Sequence, residues 1–443
     1  MKLNEISLAL LENFALCDHC LGRQFALLGY GFTNQERGYS IKLLLLLEGN
    51  RLILNDSYEL GTELIKLVAL NGLSESAYKV LKSLGQDLER TPTKCYICNG
   101  VFEYVDELAN KVVEKISQYE YKTFLLGIKI PPEVEEREDE LRAQFDIKWS
   151  ESIKNEFSRE IGKKVTEITG KTVQHVKSDV IAIINVFTKQ ITVKASPIFI
   201  SGHYKKLVRG IPQHRWVCNK CVGIGCADCG WTGKKYSESI EELITGEIKR
   251  MFEGTDAKLH SAGREDVDVR VLGSGRPFIV EVKNPKKRNM DLESLKTEIN
   301  KGAKDKIEIF NLGFSLKERV QAMKEKKQTK IYRGLVEFEN PVSDEQLLEI
   351  EKALENKIIY QQSPSRFSRQ RSPKNRKKYL YGIEFKRLNP NLVEMLVRCQ
   401  GGLYIKELVD GDDGKTTPSL AELINTSAKC IELDIMDISM EVA

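Results

Sequence analysis

Eight of the ten cysteines in this 443-residue chain fall in four Cys-x-x-Cys pairs: Cys17/Cys20, Cys95/Cys98, Cys218/Cys221 and Cys226/Cys229. Such a pair puts two thiolates on one tight turn, and a tetrahedral Zn²⁺ takes four. A fold that uses these pairs for metal must bring them together two by two. Between the third and fourth pairs lie Val222-Gly223-Ile224-Gly225, whose glycines let the backbone turn sharply about an ion. Cys218, Cys221, Cys226 and Cys229 are therefore read as one structural zinc site. The competing readings are a turn with reduced thiols and an iron–sulfur cluster. Cys17, Cys20, Cys95 and Cys98 are expected to close a second zinc site across 74 intervening residues, against the alternative of two inert turns. His19 is surplus to a four-thiolate set, and Cys399 and Cys430 read as core residues.

Hydrophobic residues make up 41% and charged residues 30%, which suits a globular protein of two to four domains. The net charge of +4 hides a strong asymmetry. Residues 201–235 carry seven basic and one acidic side chain, and residues 361–390 carry nine and one. These two windows exceed the whole net charge, so the remainder is acidic. Focused basic patches interleaved with His203, Tyr204, His214 and Trp216 suit a polyanion with stackable bases. The N-terminus reads as an amphipathic helix carrying Glu5 and Glu12, not a secretory signal. The apolar run 43–47 is far too short to span a bilayer. The expectation is a cytoplasmic protein without a membrane partner.

Periodicity predicts an α+β chain. Residues 1–120 read as helical, with the first two cysteine pairs at either end. Residues 121–210 read as an α+β module of strand–helix–helix–strand type: a strand at 124–130, a charged helix over 133–162, a second helical stretch to about 168, and strands at 180–186, 190–195 and 198–201. Residues 211–443 read as a larger α/β domain opening on the zinc segment 218–229. Within it a hairpin is expected from strands 266–272 and 277–283, turned at Gly273-Ser274-Gly275. A helix is expected near 390–399, and a closing strand at 430–438.

The richest polar cluster is Gly263-Arg264-Glu265-Asp266-Val267-Asp268, with a carboxylate at a loop–strand junction. In the strand reading, Asp266, Asp268 and Arg270 share a face. Asp268, Glu281 and Lys283 form a weaker constellation, that of a Mg²⁺-dependent nuclease. A non-catalytic zinc and RNA-binding protein is the third reading. No glycine-rich dinucleotide fingerprint and no P-loop occurs, so no nucleotide cofactor is expected.

Several longer motifs together resemble one family, the archaeal-type tRNA pseudouridine synthases acting on T-loop uridines 54 and 55. They are CDHC, CYIC, SGHYKKLVRGIPQHRW, AGREDVDVRVLGSGRPF, KIYRGLV and GGLYIKELVDGDDGKTTP. The resemblance implies a zinc-pinned helical and THUMP-like RNA-binding region, followed by a pseudouridine synthase-fold catalytic domain with a mixed, largely antiparallel sheet. It implies Asp266 as the essential aspartate and Tyr332 as the aromatic that receives the uracil. Lys406 would be the cation paired with Asp266, and Arg264 the residue that fills the space of the flipped base. No cofactor is implied for catalysis. The substrate implied is tRNA, held at its T-arm and elbow, with Tyr332, Tyr404, Lys205, Lys206, Arg209, Arg215, Arg366, Arg369 and Arg371 as contacts. His203 stands where the family pattern has arginine, and the basic segment 366–378 lacks the pattern's histidine.

Overall fold

The computed structural model describes residues 2–86, 88–89, 93–367 and 374–440. Arg369 and Arg371 lie outside the described residues. The chain divides into two compact units, Met1–Ser196 and Pro197–Ala443, each with its own apolar core. Among the described residues no helix is long and apolar enough to cross a membrane.

The first unit opens with helices α1 (Leu3–Asn13), α2 (Asp18–Gly22), α3 (Asn34–Leu54), α4 (Tyr58–Leu70), α5 (Glu75–Ser83) and α6 (Val105–Ile116). The side chains of Thr33 and Ser74 each accept a backbone N–H at the start of α3 and α5, which fixes where those helices begin. A four-stranded sheet follows, ordered β2-β1-β3-β4, from β1 (Thr123–Lys129), β2 (Thr172–Val173), β3 (Val180–Asn185) and β4 (Gln190–Ala195). The helix expected over 133–162 is two helices, α7 (Pro132–Gln144) and α8 (Ile153–Thr169). The chain breaks at Asp146, whose φ of 46° no helix holds, and Ser152 caps the restart. Helices and sheet share one core, so 1–120 and 121–196 do not fold around separate centres.

The second unit is built on a ten-stranded sheet. Its path runs β13-β10-β11-β12-β9-β14-β7-β5-β8, with β6 also paired to β7. The strands are β5 (Ile198–Lys206), β6 (Asp256–Ser261), β7 (Val269–Lys283), β8 (Ile307–Ser315), β9 (Gln328–Phe338), β10 (Lys357–Gln361), β11 (Arg376–Asn389), β12 (Leu392–Gln400), β13 (Thr416–Thr417) and β14 (Ala428–Met440). Helices α9 (Ile240–Met251), α10 (Leu292–Gly302), α11 (Lys317–Glu325), α12 (Asp344–Leu354), α13 (Ile405–Asp410) and α14 (Leu420–Ile424) complete it. Among the described residues the only parallel pairing in this sheet is β14 with β7, so the sheet is mixed and largely antiparallel.

Three expectations are corrected here. The strand at 198–201 belongs to the second unit: β5 pairs β7 and β8, which moves the boundary from 210 to 196/197. The hairpin over 266–283 is one continuous strand. Gly273 and Gly275, at φ 49° and 70°, carry β7 from parallel pairing with β14 to antiparallel pairing with β5. A Cβ on Gly273 would sit 1.8 Å from the Met436 carbonyl oxygen, so the glycine serves close strand approach, not chain reversal. The helix near 390–399 is strand β12. Val393, Met395, Val397 and Cys399 are its buried face, a period of two.

Candidate active site

Between β6 and β7 the chain makes a short irregular segment, 262–268. Asp266 and Asp268 lie in it, before the strand begins, so they do not share a strand face with Arg270 as expected. Side chains from distant elements hold this segment by its carbonyl oxygens. Arg276 Nη1 donates to Ala262 O (2.6 Å), and Gln213 Nε2 donates to Gly263 O (3.1 Å). Lys206 Nζ donates to Asp266 O (3.2 Å) and Val267 O (2.7 Å). Arg209 Nη1 donates to Asp268 O (2.7 Å). Each bond is to a cation or a buried amide, and such bonds fix a loop far better than exposed neutral ones.

Under the segment Glu265 is buried in a closed polar set. It accepts from Tyr204 Oη (2.8 Å) and Gln213 Nε2 (3.1 Å) and faces Arg276 Nε at 2.8 Å, both ends of that ion pair being shut off from solvent. Burial, followed by the Glu265 charge, drives the Tyr204 phenol well above its ordinary value, so it acts as a donor.

The segment faces a cavity of about 1060 Å³ lined by Asp266, Tyr332, Arg264, Trp216, Tyr404 and Lys406 among others. Tyr332 comes from the middle of β9, between Val397 of β12 and Ile435 of β14. It is 8% exposed, and burial keeps its phenol protonated far above the ordinary range. The Arg264 guanidinium lies 5.2 Å from the centre of the Trp216 ring on the cavity wall. Arg376 covers the Tyr404 ring in the same way, at 5.0 Å.

The four residues expected to act at the reacting nucleotide, Asp266, Tyr332, Lys406 and Arg264, thus line one cavity. Their pairing differs from expectation. The close partner of Asp266 is Arg366, whose Nη1 lies 2.5 Å from Oδ2. Lys406 stands 3.9 Å from that oxygen and bonds Asp268 Oδ2 at 2.6 Å. Burial alone would raise the Asp268 carboxyl, but Lys406 outweighs it and holds it below the ordinary value. Arg366 also spans to Glu407 (Nε to Oε1, 2.7 Å), a carboxyl that burial pushes up despite that partner.

The expected RNA contacts divide. Arg215 and Tyr404 line the cavity. Lys206 is fully buried and Arg209 is bonded to Leu433 O, Glu432 and Asp434, so both are scaffold. Arg366 is tied to Asp266 and Glu407, and Lys205 pairs with Glu308 at 3.0 Å. The nuclease constellation disperses: Asp268 pairs with Lys406, Glu281 with His260 (3.2 Å) and Lys283 with Asp256 (2.8 Å).

Arg276 and Lys330 escaped the sequence reading, and Glu265 entered it only as one member of the polar cluster 263–268. Their signal was there. Arg276 and Lys330 interrupt the alternation of β7 and β9 at positions that must face inward, alongside Phe278 and Tyr332.

The cysteines assemble as expected into two sets, 17/20/95/98 and 218/221/226/229, with all four sulfurs of each within 4.8 Å. Cys17 and Cys98 are 3.6 Å apart, Cys221 and Cys229 3.8 Å, and Cys218 and Cys226 4.0 Å. Four sulfurs ~2.3 Å from one zinc are roughly 3.8 Å from each other, so both sets fit that ion. Backbone N–H groups of Gly225 and Gly233 point at Cys221 and Cys229 (3.2 and 3.3 Å), as thiolates require. In the first set buried Arg23 donates to Cys20 Sγ at 3.6 Å, a countercharge for an anionic metal–thiolate centre. His19 instead bonds Glu156 at 2.8 Å.

The family model described as "Pus10, C-terminal" matches residues 199–439, and "Pus10 THUMP domain, archaeal" matches 108–185. The chain belongs to the Pus10 family. Similar over nearly the whole length are two proteins named "tRNA pseudouridine synthase Pus10". That of Thermofilum pendens is 38% identical, covering 100% of this chain and 96% of its own. That of Methanocaldococcus jannaschii is 40% identical, covering 98% and 94%. Solved structures are much more distant. A Cbf5-Nop10-Gar1 complex chain matches at 17% identity and TM-score 0.28, covering 44% of each chain. A "pseudouridylate synthase" matches at 12% and 0.20, covering 57% of this chain and 71% of that one. Neither likeness bears further weight; membership of the Pus10 family rests on the sequence matches.

Proposed function

We propose that this chain is a tRNA pseudouridine synthase of the cytoplasm that isomerises T-loop uridines 54, 55 or both. The observation that carries the reading is the meeting of Asp266, Tyr332, Arg264 and Lys406 in one cavity, in a chain matching Pus10 relatives over nearly its full length. The target nucleotide leaves its stack and enters the cavity, where Tyr332 receives the uracil. Arg264, resting on Trp216, is placed to fill the gap left behind. Asp266 reacts at the ribose, with the guanidinium of Arg366 and the ammonium of Lys406 as its cationic neighbours. The two cysteine sets hold zinc for structure, and the reaction uses no cofactor. The T-arm and elbow of tRNA are read by Arg215, Tyr404 and the basic segment that continues through Arg369 and Arg371, together with the first unit's THUMP region.

The test incubates the protein and Asp266→Asn with an unmodified tRNA transcript, in EDTA and in Mg²⁺, and maps pseudouridine and strand breaks at base resolution. Pseudouridine in the T-loop from the unaltered protein only, in both conditions, supports the reading. No pseudouridine, or full activity in Asp266→Asn, ends it.

A further inference from the structure

The cavity holds an amine that the reaction as described leaves idle. Lys330 stands two residues before Tyr332 on β9, so both side chains leave the same face of the strand. It is 5% exposed, yet it lines the cavity that contains Asp266 and Tyr332. Lys206 is bonded to carbonyl oxygens and Lys406 to Asp268. Among the described residues Lys330 has no partner at hydrogen-bond or ion-pair distance.

Packing alone places its amine. Gly263, at φ 82°, has no side chain, and a Cβ there would lie 3.1 Å from Lys330 Nζ and 3.1 Å from Arg276 Nη1. The groups facing Lys330 are Arg276 from β7, Lys378 from β11, Cys399 from β12, Glu265 from the segment and Gln328 from its own strand. Burial, then the Arg276 charge, brings the ammonium down to about 7, with Lys378 adding to this and Cys399 and Glu265 opposing it. An amine in that range holds a free electron pair in a large share of molecules near neutral pH, as a general base needs.

We propose that Lys330 is the base that removes the hydrogen from uracil C5 once the base has been rejoined to the sugar. The proposal rests on the pseudouridine synthase reading. When the C1′–N1 bond breaks, its electron pair stays on the uracil. C5 then bonds to C1′ and for a moment carries both the sugar and its own hydrogen, with a double bond between N1 and C6. The Lys330 amine takes that proton. The C5–H electrons form the C5–C6 double bond, the N1–C6 pair moves to N1, and N1 takes a proton from water. The ammonium returns its proton to water, so the balance is that of an isomerisation. Two residues along one face of a strand are roughly 6.7 Å apart, which puts the edge of a base packed on Tyr332 within reach of a lysine's four-carbon stem. Tyr332 is unsuited to the step, because burial holds its phenol protonated. Asp266 works on the sugar side.

The test is single-turnover conversion of tRNA transcripts carrying hydrogen or deuterium at uridine C5. The unaltered protein is expected to convert both at the same rate. Lys330→Met should slow by about 100-fold or more and acquire a several-fold isotope effect, because C5–H cleavage becomes limiting. Lys330→Arg keeps the charge but cannot release its proton, and should behave as Lys330→Met does. Methylamine should restore part of the activity of Lys330→Ala in proportion to its neutral form. Full activity in Lys330→Arg overturns the proposal. So does loss of rate in Lys330→Met with no isotope effect and no amine rescue, which marks a merely structural lysine. Absence of pseudouridine from the unaltered protein overturns the underlying reading instead.

Discussion

Arg366 and Asp266 lie 100 positions apart in the chain and 2.5 Å apart in the cavity. The same guanidinium holds Glu407 at 2.7 Å, so one side chain joins the segment ahead of β7, the segment after β10 and helix α13. Lys406 answers Asp268 first and Asp266 only at 3.9 Å.

Arg366→Ala is therefore expected to slow pseudouridine formation by about 10- to 100-fold, the rate equivalent of a charge-assisted bond of ~1.5–3 kcal/mol. Arg366→Lys should recover little, because an ammonium cannot fork to two carboxylates. Single-turnover rates decide it: an unimpaired Arg366→Ala would make Lys406 the working partner of Asp266.

The buried Glu265–Arg276 pair gives a stability prediction. Glu265→Ala leaves a fully buried guanidinium without its charge partner, which costs about 3–5 kcal/mol. At this size the second unit should melt lower by on the order of 10 °C. The double variant Glu265→Leu/Arg276→Met should regain much of that loss, because it removes both charges. Calorimetry that finds the double variant no better than the single one would count against the pair.

Metal content should track the cysteine sets separately. Cys95→Ser is expected to lower bound zinc from two per chain to about one and to destabilise the unit Met1–Ser196. Cys218→Ser should remove the other ion and leave the melting of that unit unchanged. Elemental analysis beside thermal melts checks both, and an unchanged zinc content in either variant would refute that site.

Not all of the basic surface should bind tRNA. Arg215→Ala and Lys378→Ala, at the cavity wall, should each weaken binding and reduce the salt slope by about one. Lys206→Met should damage the Asp266 segment, and so turnover, with little change in that slope. Titrations at several salt concentrations separate the two behaviours; equal slopes in all variants would deny the division.

Asp434 carries a pH dependence. Burial alone would raise its carboxyl, but Arg270 (2.7 Å) and Arg209 (2.8 Å) outweigh burial and hold it below the ordinary range. The folded state thus keeps this proton off to lower pH than the unfolded chain does. The resulting stabilisation is complete above the unfolded carboxyl value and is lost as pH falls through the folded one. The melting difference between the protein and Asp434→Asn should be flat from neutrality down to about pH 5 and shrink below it. A difference that grows on acidification would reverse the sign.

Where local chemistry sets the outcome, the sequence alone was readable. The two cysteine sets, the strands at 124–130, 180–186 and 190–195 and the closing strand at 430–438 all follow from spacing and periodicity. What was missed depends on distant partners. A Gly-Ser-Gly tripeptide looks the same whether it reverses a chain or lets β14 pass close by, and only Met436 tells them apart. Lys206 and Arg209 read as free cations in a basic window, and their acceptors lie some 60 residues and more away. Residues 390–399 fit both helix and strand until Val393, Met395, Val397 and Cys399 find a common buried face.

Strand β14 lies at the middle of the ten-stranded sheet, joining β9 on one side to β7 on the other, and it is made after every other strand described. A nascent chain emerging from the ribosome can form two part-sheets, β5 to β8 and β9 to β13, but among the described residues no strand pairing joins them until β14 is made. Tyr332 belongs to one part, and Asp266 is tethered to the other. Until residues 428–440 have been translated, the aspartate and its aromatic partner belong to separate pieces of structure, so competence to act on RNA is acquired in a single late event of synthesis.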